Sequence, residues 1–492
     1  MGSEKVRPSA LAVQGLATLS IAYLTTLTGF IYAWPSYTLD MFRSNGTVLS
    51  TPMTPTEISL LGSLTNVGGL VATPFCGYAV NKFGRKYAAI LYGLPYVISW
   101  AIISVTRWPA LVIAAVGIGG FGAAGQAVSS VYISEISQDS IRGALTSTTV
   151  SGFFAGLLFS YAIGGQLTYH EVAYVHLGLS VLYMVLLLFL EESPVYLVQI
   201  GKDKEAAKSI AFYRRASPTS KEVEIEITRI KQQMDPRINE ILQGECDPTA
   251  AKELIKNKEA KVKQRSVSQW SFLMKSESSK RALVAVLIVM SVTILMGSIV
   301  LQVYAEPLFK EAVPSMQPNL CSILLALTYL IASLVCAFMV DKFGRKSLMT
   351  VTSVGSAVCT FLLGTQLHLH WGPHWMTAFF IYAYSFIYNL GAAIVPFVLT
   401  AEVFLPEVRG LGNSMSMSCM WIMNFVTLII FNPLVELLGL GPVFYGFSCI
   451  CLLGAAYSHF WLPETKGLPA DAIQRLFLKG GKNEIGAKIE MK

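Results

Sequence analysis

The chain carries almost the same charged hexapeptide twice, NKFGRK at residues 81–86 and DKFGRK at residues 341–346. Each one directly follows a long apolar stretch, at 57–79 and 319–340 respectively. A motif that recurs at a large offset indicates duplicated architecture. The sequence therefore predicts two related halves, each with the same charged turn after its second apolar stretch.

Composition determines the broad class of protein. Hydrophobic residues make up 53% and charged residues 14% of the 492 residues, whereas soluble domains carry about 25% charged residues. A helix needs about 20 apolar residues to cross a bilayer. Twelve such stretches are present, at 11–33, 57–79, 87–106, 108–133, 144–166, 172–190, 282–305, 319–340, 347–367, 375–400, 411–432 and 441–462. The predicted fold is an all-α membrane protein with twelve transmembrane helices.

The distribution of basic residues predicts the orientation. If the N-terminus is cytoplasmic, only Arg43, Arg107 and Lys310 fall outside, and the other 34 of the 37 Lys and Arg residues fall inside, as the positive-inside rule requires. The one N-x-[ST] sequon, at Asn45, then lies in the first outer loop, where glycosylation is permitted. We expect two cytoplasmic termini, a cell-membrane location and a glycan on Asn45.

One polar block, at 191–280, interrupts the apolar stretches. Charges of both signs alternate in it, as in KEVEIEITRIKQQ at 221–233, which is typical of solvated amphipathic helices. The predicted organisation is an N-terminal six-helix half (1–190), a cytoplasmic helical linker (191–280), a C-terminal six-helix half (281–463) and a cytoplasmic tail (464–492).

No motif indicates an enzyme. A G-x-G-x-x-G pattern at 117–122 has no strand before it, so we interpret its glycines as helix-packing residues. We interpret His368, His370 and His374 as an interfacial loop rather than a zinc site, and His459 as a core residue. We expect no cofactor, no metal and no nucleic-acid partner, and the oligomeric state is left open.

A further motif recurs six spans apart. Glu135 stands seven residues before Arg142 after the fourth stretch, and Glu402 stands seven residues before Arg409 after the tenth. Two parallel six-span halves around a central path are the architecture of alternating-access carriers.

These motifs together resemble those of the sugar porter family in the major facilitator superfamily, which includes insect facilitated trehalose transporters and animal glucose facilitators. The stretch from Tyr132 to Leu145 is similar to the motif after span four. PETKG at 463–467 matches the C-terminal signature, and LEESP at 190–194 resembles the signature after span six, with Glu191 in place of proline.

The resemblance implies an inner gate of arginine–carboxylate pairs, which in that family ties the two halves together when the carrier faces outward. Such pairs are directional, and partial exposure keeps each one at about 1 kcal/mol or less, so the gate can open. The alternative is that these charges only anchor helix ends. The expected gate residues are Arg85, Glu135, Arg142, Glu192, Asp341, Arg345, Glu402, Arg409 and Glu464.

The resemblance also implies a sugar site between the halves, but most of its amides are replaced. The family's sugar-binding positions correspond here, for example, to Thr293, Tyr161, Tyr329 and Phe397. A solute hydroxyl left unpaired in a dry site costs about 1–3 kcal/mol. We therefore expect a solute that is larger or less hydroxyl-rich than glucose. The expected substrate-binding residues are Trp421 and Asn424, which match the family, with Tyr161, Tyr329, Phe397, Thr293 and Gln302.

The predicted function is facilitative uniport of a sugar or sugar-like solute across the bilayer. Ile31 stands where proton-coupled relatives place an aspartate, and the spans carry almost no carboxylate apart from Glu306, whereas buried ionisable residues mark proton relays. The alternatives are a carrier of a non-sugar organic solute and a non-transporting sensor or scaffold.

Overall fold

The computed structural model describes residues 7–234, 270, 273, 276–404, 408–466, 468, 473, 476 and 477. Side chains are described at these positions except 232–234, 337, 338, 340, 341, 401 and 409. The prediction of twelve spans is confirmed, because the described residues contain twelve helices that are long and apolar enough to cross a membrane, and no strand.

Spans 1 to 6 form the first half. Span 4 consists of two consecutive helices, and the other five are single helices. Their bounds are Pro8–Arg43, Pro55–Phe83, Arg85–Val105, Pro109–Ala123 with Gln126–Ile136, Arg142–Gly164 and Tyr169–Leu188.

Spans 7 to 12 form the second half, and spans 7 and 10 are broken into consecutive helices. The bounds are Glu277–Leu295 followed by Ser298–Val303 and Ala305–Ala312, Pro318–Phe343, Arg345–Leu369, His374–Leu390 with Val395–Glu402, Arg409–Leu438 and Leu440–Phe460. We call the end of the bundle at which span 3 begins the basic end. The opposite end, where span 1 ends just before Asn45, is the sequon end.

The starts of several spans follow from local chemistry. Proline occupies the first turn of span 1 (Pro8) and span 2 (Pro55), where its missing N–H has no helical partner to lose. Thr54 and Glu57 form a capping box at the start of span 2, with the Glu57 carboxylate 2.8 Å from the Thr54 amide nitrogen. This box satisfies donors that a helix start otherwise leaves unpaired.

The two halves repeat the same packing. Span 1 packs against span 5, span 2 against span 4 and span 3 against span 6, and the second half pairs spans 7 with 11, 8 with 10 and 9 with 12. Spans 2 and 4 touch backbone to backbone, since a Cβ added to Gly120 would lie 2.0 Å from the Thr65 carbonyl oxygen, and one on Gly68 would lie 2.1 Å from that of Gly117. The glycine pattern at 117–122 therefore serves helix packing, as expected.

The halves meet along equivalent surfaces. Span 2 packs against span 11, span 5 packs against span 8, and span 1 contacts the last two helices of span 7. A central path can run only between these contacts.

In the described residues up to 234, three helices follow span 6, Pro194–Gln199, Asp203–Arg214 and Lys221–Met234. They share a small apolar core of their own. Gln14 of span 1 donates to Gln138 at 3.1 Å and to the Tyr213 carbonyl at 3.2 Å, which attaches this part of the predicted linker to the first half.

Candidate transport site

A carboxylate from outside the helix caps the start of span 3. Gly84 separates spans 2 and 3 and has no side chain to act as a cap. The Glu192 carboxylate instead accepts the backbone N–H groups of Arg85 at 2.8 Å and Lys86 at 3.0 Å. An anion is favourable there, because a helix N-terminus carries unpaired donors and a partial positive charge.

The Arg85 side chain closes the same cluster. It is 6% exposed, and its Nε and Nη2 atoms lie 2.7 and 2.8 Å from the two carboxylate oxygens of Glu135. The Ser193 hydroxyl also donates to Glu135. The Nη2 hydrogen bond and the close Nε contact tie the start of span 3 to the end of span 4.

The second half repeats this cluster. The Arg345 and Lys346 amides lie 2.8 and 3.2 Å from the Glu464 carboxylate, and Arg345 Nη2 lies 2.7 Å from Glu402. The Thr465 hydroxyl donates to Glu402 at 2.7 Å. The equivalent residues are Gly84 and Gly344, Arg85 and Arg345, Glu135 and Glu402, Glu192 and Glu464, and Ser193 and Thr465.

The remaining predicted gate residues are placed differently. The Arg142 guanidinium is 44% exposed and lies 2.5 Å from Asp139, which also pairs with Arg229 of the third linker helix. The side chains of Asp341 and Arg409 lie outside the described part of the structure. Each ion pair described at the basic end lies either within the first half and its linker helices or within the second half. In this conformation these pairs therefore do not bridge the halves.

Sequence reasoning missed that Glu192 and Glu464 bind backbone amides rather than arginine side chains. The sequence does contain a pattern that sets these two glutamates apart. Both glutamates precede a hydroxyl residue, as Glu192-Ser193 and Glu464-Thr465, and both lie just after the last span of their half.

At the sequon end a charged pair and a backbone hydrogen bond join the two halves. The Glu306 amide donates to the Ser36 hydroxyl at 2.8 Å, and Lys310 forms an ion pair with Asp40. Both contacts join span 1 to the last helix of span 7. The structure is therefore that of a bundle closed at its sequon end.

Span 7 is interrupted in the middle of the bundle. Gly297 has φ +92°, a conformation open to glycine and costly for other residues. The break releases carbonyl groups from helical bonding, and tyrosines of span 10 occupy two of them. The Tyr384 hydroxyl donates to the Met296 carbonyl at 2.7 Å, and the Tyr388 hydroxyl donates to the Thr293 carbonyl at 3.1 Å.

Two predicted substrate residues also contact the interrupted part of span 7. The Tyr161 hydroxyl of span 5 donates to the Gln302 carbonyl. The Tyr329 hydroxyl lies 3.4 Å from the Ser298 hydroxyl, and its ring stacks on Phe154 across the two halves at a centroid distance of 5.3 Å. Both tyrosine hydroxyls thus have protein partners in this conformation.

The other predicted substrate residues differ in their hydrogen bonding. Trp421 donates its Nε1–H to the Thr73 hydroxyl at 2.9 Å, across the halves, and Phe397 is partly buried against the core. Asn424 Oδ1 and Thr293 Oγ1 are buried and have no hydrogen-bond partner. These two atoms have unused hydrogen-bonding capacity in spans 11 and 7, which pack together.

The histidines do not form a metal centre in the described residues. His368, His370 and His374 are exposed, and the described part of the chain holds no cluster of three His, Cys, Asp or Glu side chains suited to a metal ion. The expectation that His459 is a core residue is wrong. It is exposed, because span 12 ends one residue later, at Phe460.

The comparison with protein families decides the identity. The family model described as "Sugar (and other) transporter" matches residues 10–477. The chain belongs to this transporter family. The resemblance to sugar porters is thereby confirmed, and so is the expectation that the chain is a transporter rather than an enzyme.

Several curated relatives of the chain are insect proteins. The facilitated trehalose transporter Tret1 of Aedes aegypti is 24% identical over 479 residues, which cover 95% of this chain and 55% of the relative. The Tret1 proteins of Culex quinquefasciatus and Polypedilum vanderplanki are 24% and 25% identical, and the matches cover 85% and 88% of their lengths. The chain thus spans about half of the Aedes relative and most of the other two.

Solved structures share the fold. The xylose transporter XylE of E. coli, in a partially occluded inward-open conformation, superposes with a TM-score of 0.74 at 19% identity, covering 93% of this chain and 99% of that chain. The human organic anion transporter MFSD10 superposes with a TM-score of 0.56 at 14% identity, covering 92% and 100%. The twelve-span arrangement of the sugar transporter family is therefore the fold of this chain.

Proposed function

We propose that this sugar transporter family member is a facilitative uniporter of a sugar or sugar-like solute, working by alternating access in a cell membrane. The basic end and both termini are cytoplasmic, with 191–280 a cytoplasmic linker. The observation that carries the proposal is the duplicated cluster of arginine, two carboxylates and helix start at the basic end of each half.

Each cluster makes its half a rigid body. Arg85 begins span 3, Glu135 ends span 4 and Glu192 follows span 6, so one cluster ties three spans together. By contrast, the described bonds between the halves in the middle of the bundle are few and neutral, such as Trp421 to Thr73. Rigid halves joined by weak contacts suit a rocking motion around a central site.

The gate at the basic end then forms in the opposite, outward-facing conformation. We propose that Arg142 bridges the halves there, because its pair with Asp139 is exposed, whereas Arg85 and Arg345 are buried in pairs within their own half. Asp341 and Arg409 are also expected gate residues, and their side chains lie outside the described residues. The Arg142 pair with Asp139 is half exposed, and exposed pairs of this kind are worth about 1 kcal/mol or less. Arg142 can therefore exchange its partner at low cost.

For the solute we propose an anchor on spans 7 and 11. Asn424 and Thr293 are the predicted substrate residues with an unpaired buried oxygen, and a buried acceptor is costly until it receives a donor. A solute hydroxyl would supply one, with Trp421 and Phe397 as apolar walls and Gln302, Tyr161 and Tyr329 supporting span 7. Because the tyrosine hydroxyls already have partners, this site favours few hydroxyls, and a non-sugar organic solute is the second candidate.

The test is counterflow in proteoliposomes with trehalose, glucose, alkyl and aryl glycosides, and non-sugar organic solutes. We expect at least one sugar or glycoside to exchange, and Asn424→Ala to reduce that exchange about 2- to 10-fold, the equivalent of one neutral hydrogen bond. Thr427→Ala is the matched control on the same span, because its hydroxyl bonds its own helix at the Met423 carbonyl, 2.8 Å away.

Three outcomes would contradict parts of the proposal. Exchange of only non-sugar solutes would support the second candidate. A folded, membrane-inserted protein that exchanges nothing would indicate a sensor or scaffold. A pH gradient that drives uphill accumulation would refute uniport.

A further inference from the structure

The contact between spans 1 and 7 at the sequon end joins the two halves through charged side chains. Asp40, near the end of span 1, pairs with Lys310 in the helix Ala305–Ala312, and both side chains are well exposed. Four residues earlier on this helix, Glu306 is half buried. Its backbone amide donates to Ser36 of span 1, so its position is fixed against the opposite half.

The carboxylate of Glu306 is incompletely satisfied. Its Oε2 atom is buried and has no hydrogen-bond partner. Burying a carboxylate oxygen without a donor disfavours the ionised form relative to the protonated form. When the halves separate at this end, water can reach the carboxylate, so the closed state has the stronger preference for a proton.

Other ionisable groups surround this carboxylate. The charges of Asp40 in span 1 and Lys310 on the same helix interact with the Glu306 carboxylate. The Tyr37 and Tyr161 hydroxyls of spans 1 and 5 also lie close enough to interact with its negative charge. Tyr382 of span 10 packs on Phe309 at a centroid distance of 5.8 Å. Further charged or titratable residues near this end include Arg43 at the end of span 1, Glu311 on the same helix and His374 at the start of span 10. Residues 318–336 of span 8 carry Cys321, Tyr329 and Cys336.

We propose that Glu306 is a proton-binding site that links the pH on the sequon side of the membrane to closure of that end, with the Asp40–Lys310 pair as the latch. The proposal rests on the alternating-access function proposed above. The proton enters and leaves on one side of the membrane, so the site modulates the carrier and does not couple transport to a proton gradient.

The direction of the effect follows from linkage. The closed state buries one oxygen of the Glu306 carboxylate without a donor, which disfavours the ionised form there relative to the open, hydrated state. The closed state therefore binds the proton more tightly than the open state. Acidification stabilises closure, and rising pH favours opening until the carboxylate is fully ionised in both states.

The test measures conformation without any solute, so that it can fail independently of the proposed substrate. The full chain in nanodiscs carries spin labels at Gly46→Cys and Ser315→Cys, which are exposed positions at the sequon end of the two halves. Their distance distribution is measured by double electron–electron resonance at pH 5.5 and 7.5. We expect the ratio of closed to open populations to be about threefold or more higher at the lower pH.

Variants separate the roles of the residues. Glu306→Gln is expected to be predominantly closed at both pH values, and Lys310→Ala is expected to shift both distributions towards open. The control, Glu311→Gln, changes an exposed carboxylate on the same helix and is expected to keep the pH response. A pH response that survives Glu306→Gln, that is lost only in Asp40→Asn, or that is absent from the unmodified chain overturns the proposal.

Discussion

Gly84 and Gly344 are the positions at which the repeated hexapeptide can be tested most directly. Their φ angles are +88° and +81°, and each connects two consecutive spans. A Cβ added to Gly84 would lie 2.3 Å from Glu192 Oε2, and one added to Gly344 would lie 2.6 Å from Glu464 Oε2. Substitution to alanine at either glycine therefore strains the backbone and displaces the capping carboxylate.

The expected loss in the free energy of unfolding is the sum of two effects. A non-glycine residue in this backbone region costs about 1–3 kcal/mol. A hydrogen bond to a charged group contributes about 1.5–3 kcal/mol, and Glu192 accepts from the amides of Arg85, Lys86 and Ser193. The loss of one such bond together with the strain gives about 2.5–6 kcal/mol, which lowers the melting temperature of a six-span half by roughly 5 °C or more.

The assay is the apparent melting temperature of the detergent-purified full chain, followed by fluorescence-detected size exclusion. Gly77→Ala is the matched control, since it lies in span 2 with nothing within 4 Å of an added Cβ. An alanine there is neutral or stabilising by up to about 1 kcal/mol. If Gly84→Ala and Gly344→Ala melt within about 2 °C of this control, the capping argument is refuted.

Three further predictions concern other parts of the chain. Asn45→Gln should migrate faster than the unmodified protein on gels when both are expressed in animal cells, and equal migration would count against the orientation or the glycan. Arg85→Ala leaves the partly buried Glu135 carboxylate with Ser193 as its described partner, so thermal melting should show a loss of about 3–5 kcal/mol in the free energy of unfolding. Arg142→Ala, by contrast, should leave the melting temperature unchanged and abolish solute exchange. Tyr388→Phe removes one hydrogen bond to the span 7 carbonyls and should lower the free energy of unfolding by about 1 kcal/mol. A melting temperature equal to that of the unmodified chain would contradict the supporting role of Tyr388.

Much of the architecture is predictable because membrane insertion depends on local composition. A stretch of about 20 apolar residues has few alternatives to a spanning helix, so the twelve spans follow from the chain without knowledge of their neighbours. The two hexapeptides, the Glu135–Arg142 spacing and PETKG at 463–467 were enough to identify the family, because motifs that recur in order are specific even when each alone is weak.

The hydrogen-bonding partners of the same residues were not predictable. Glu192 was expected to pair with arginine side chains, and it binds the start of span 3 because Gly84 leaves that helix without a cap of its own. Tyr161 was expected at the solute, and its hydroxyl is bound to the Gln302 carbonyl. Such pairings depend on where a helix breaks and which span packs beside it.

The sequence by itself determined that this protein is a duplicated twelve-span membrane protein that resembles sugar porters, since hydrophobicity and motif order are properties of the chain alone. The tertiary structure decided which end of the bundle is closed and which oxygens remain free, at Asn424, Thr293 and Glu306. The physical reason is that a hydrogen bond or ion pair forms only over about 3 Å, and distances between residues hundreds of positions apart are set by packing.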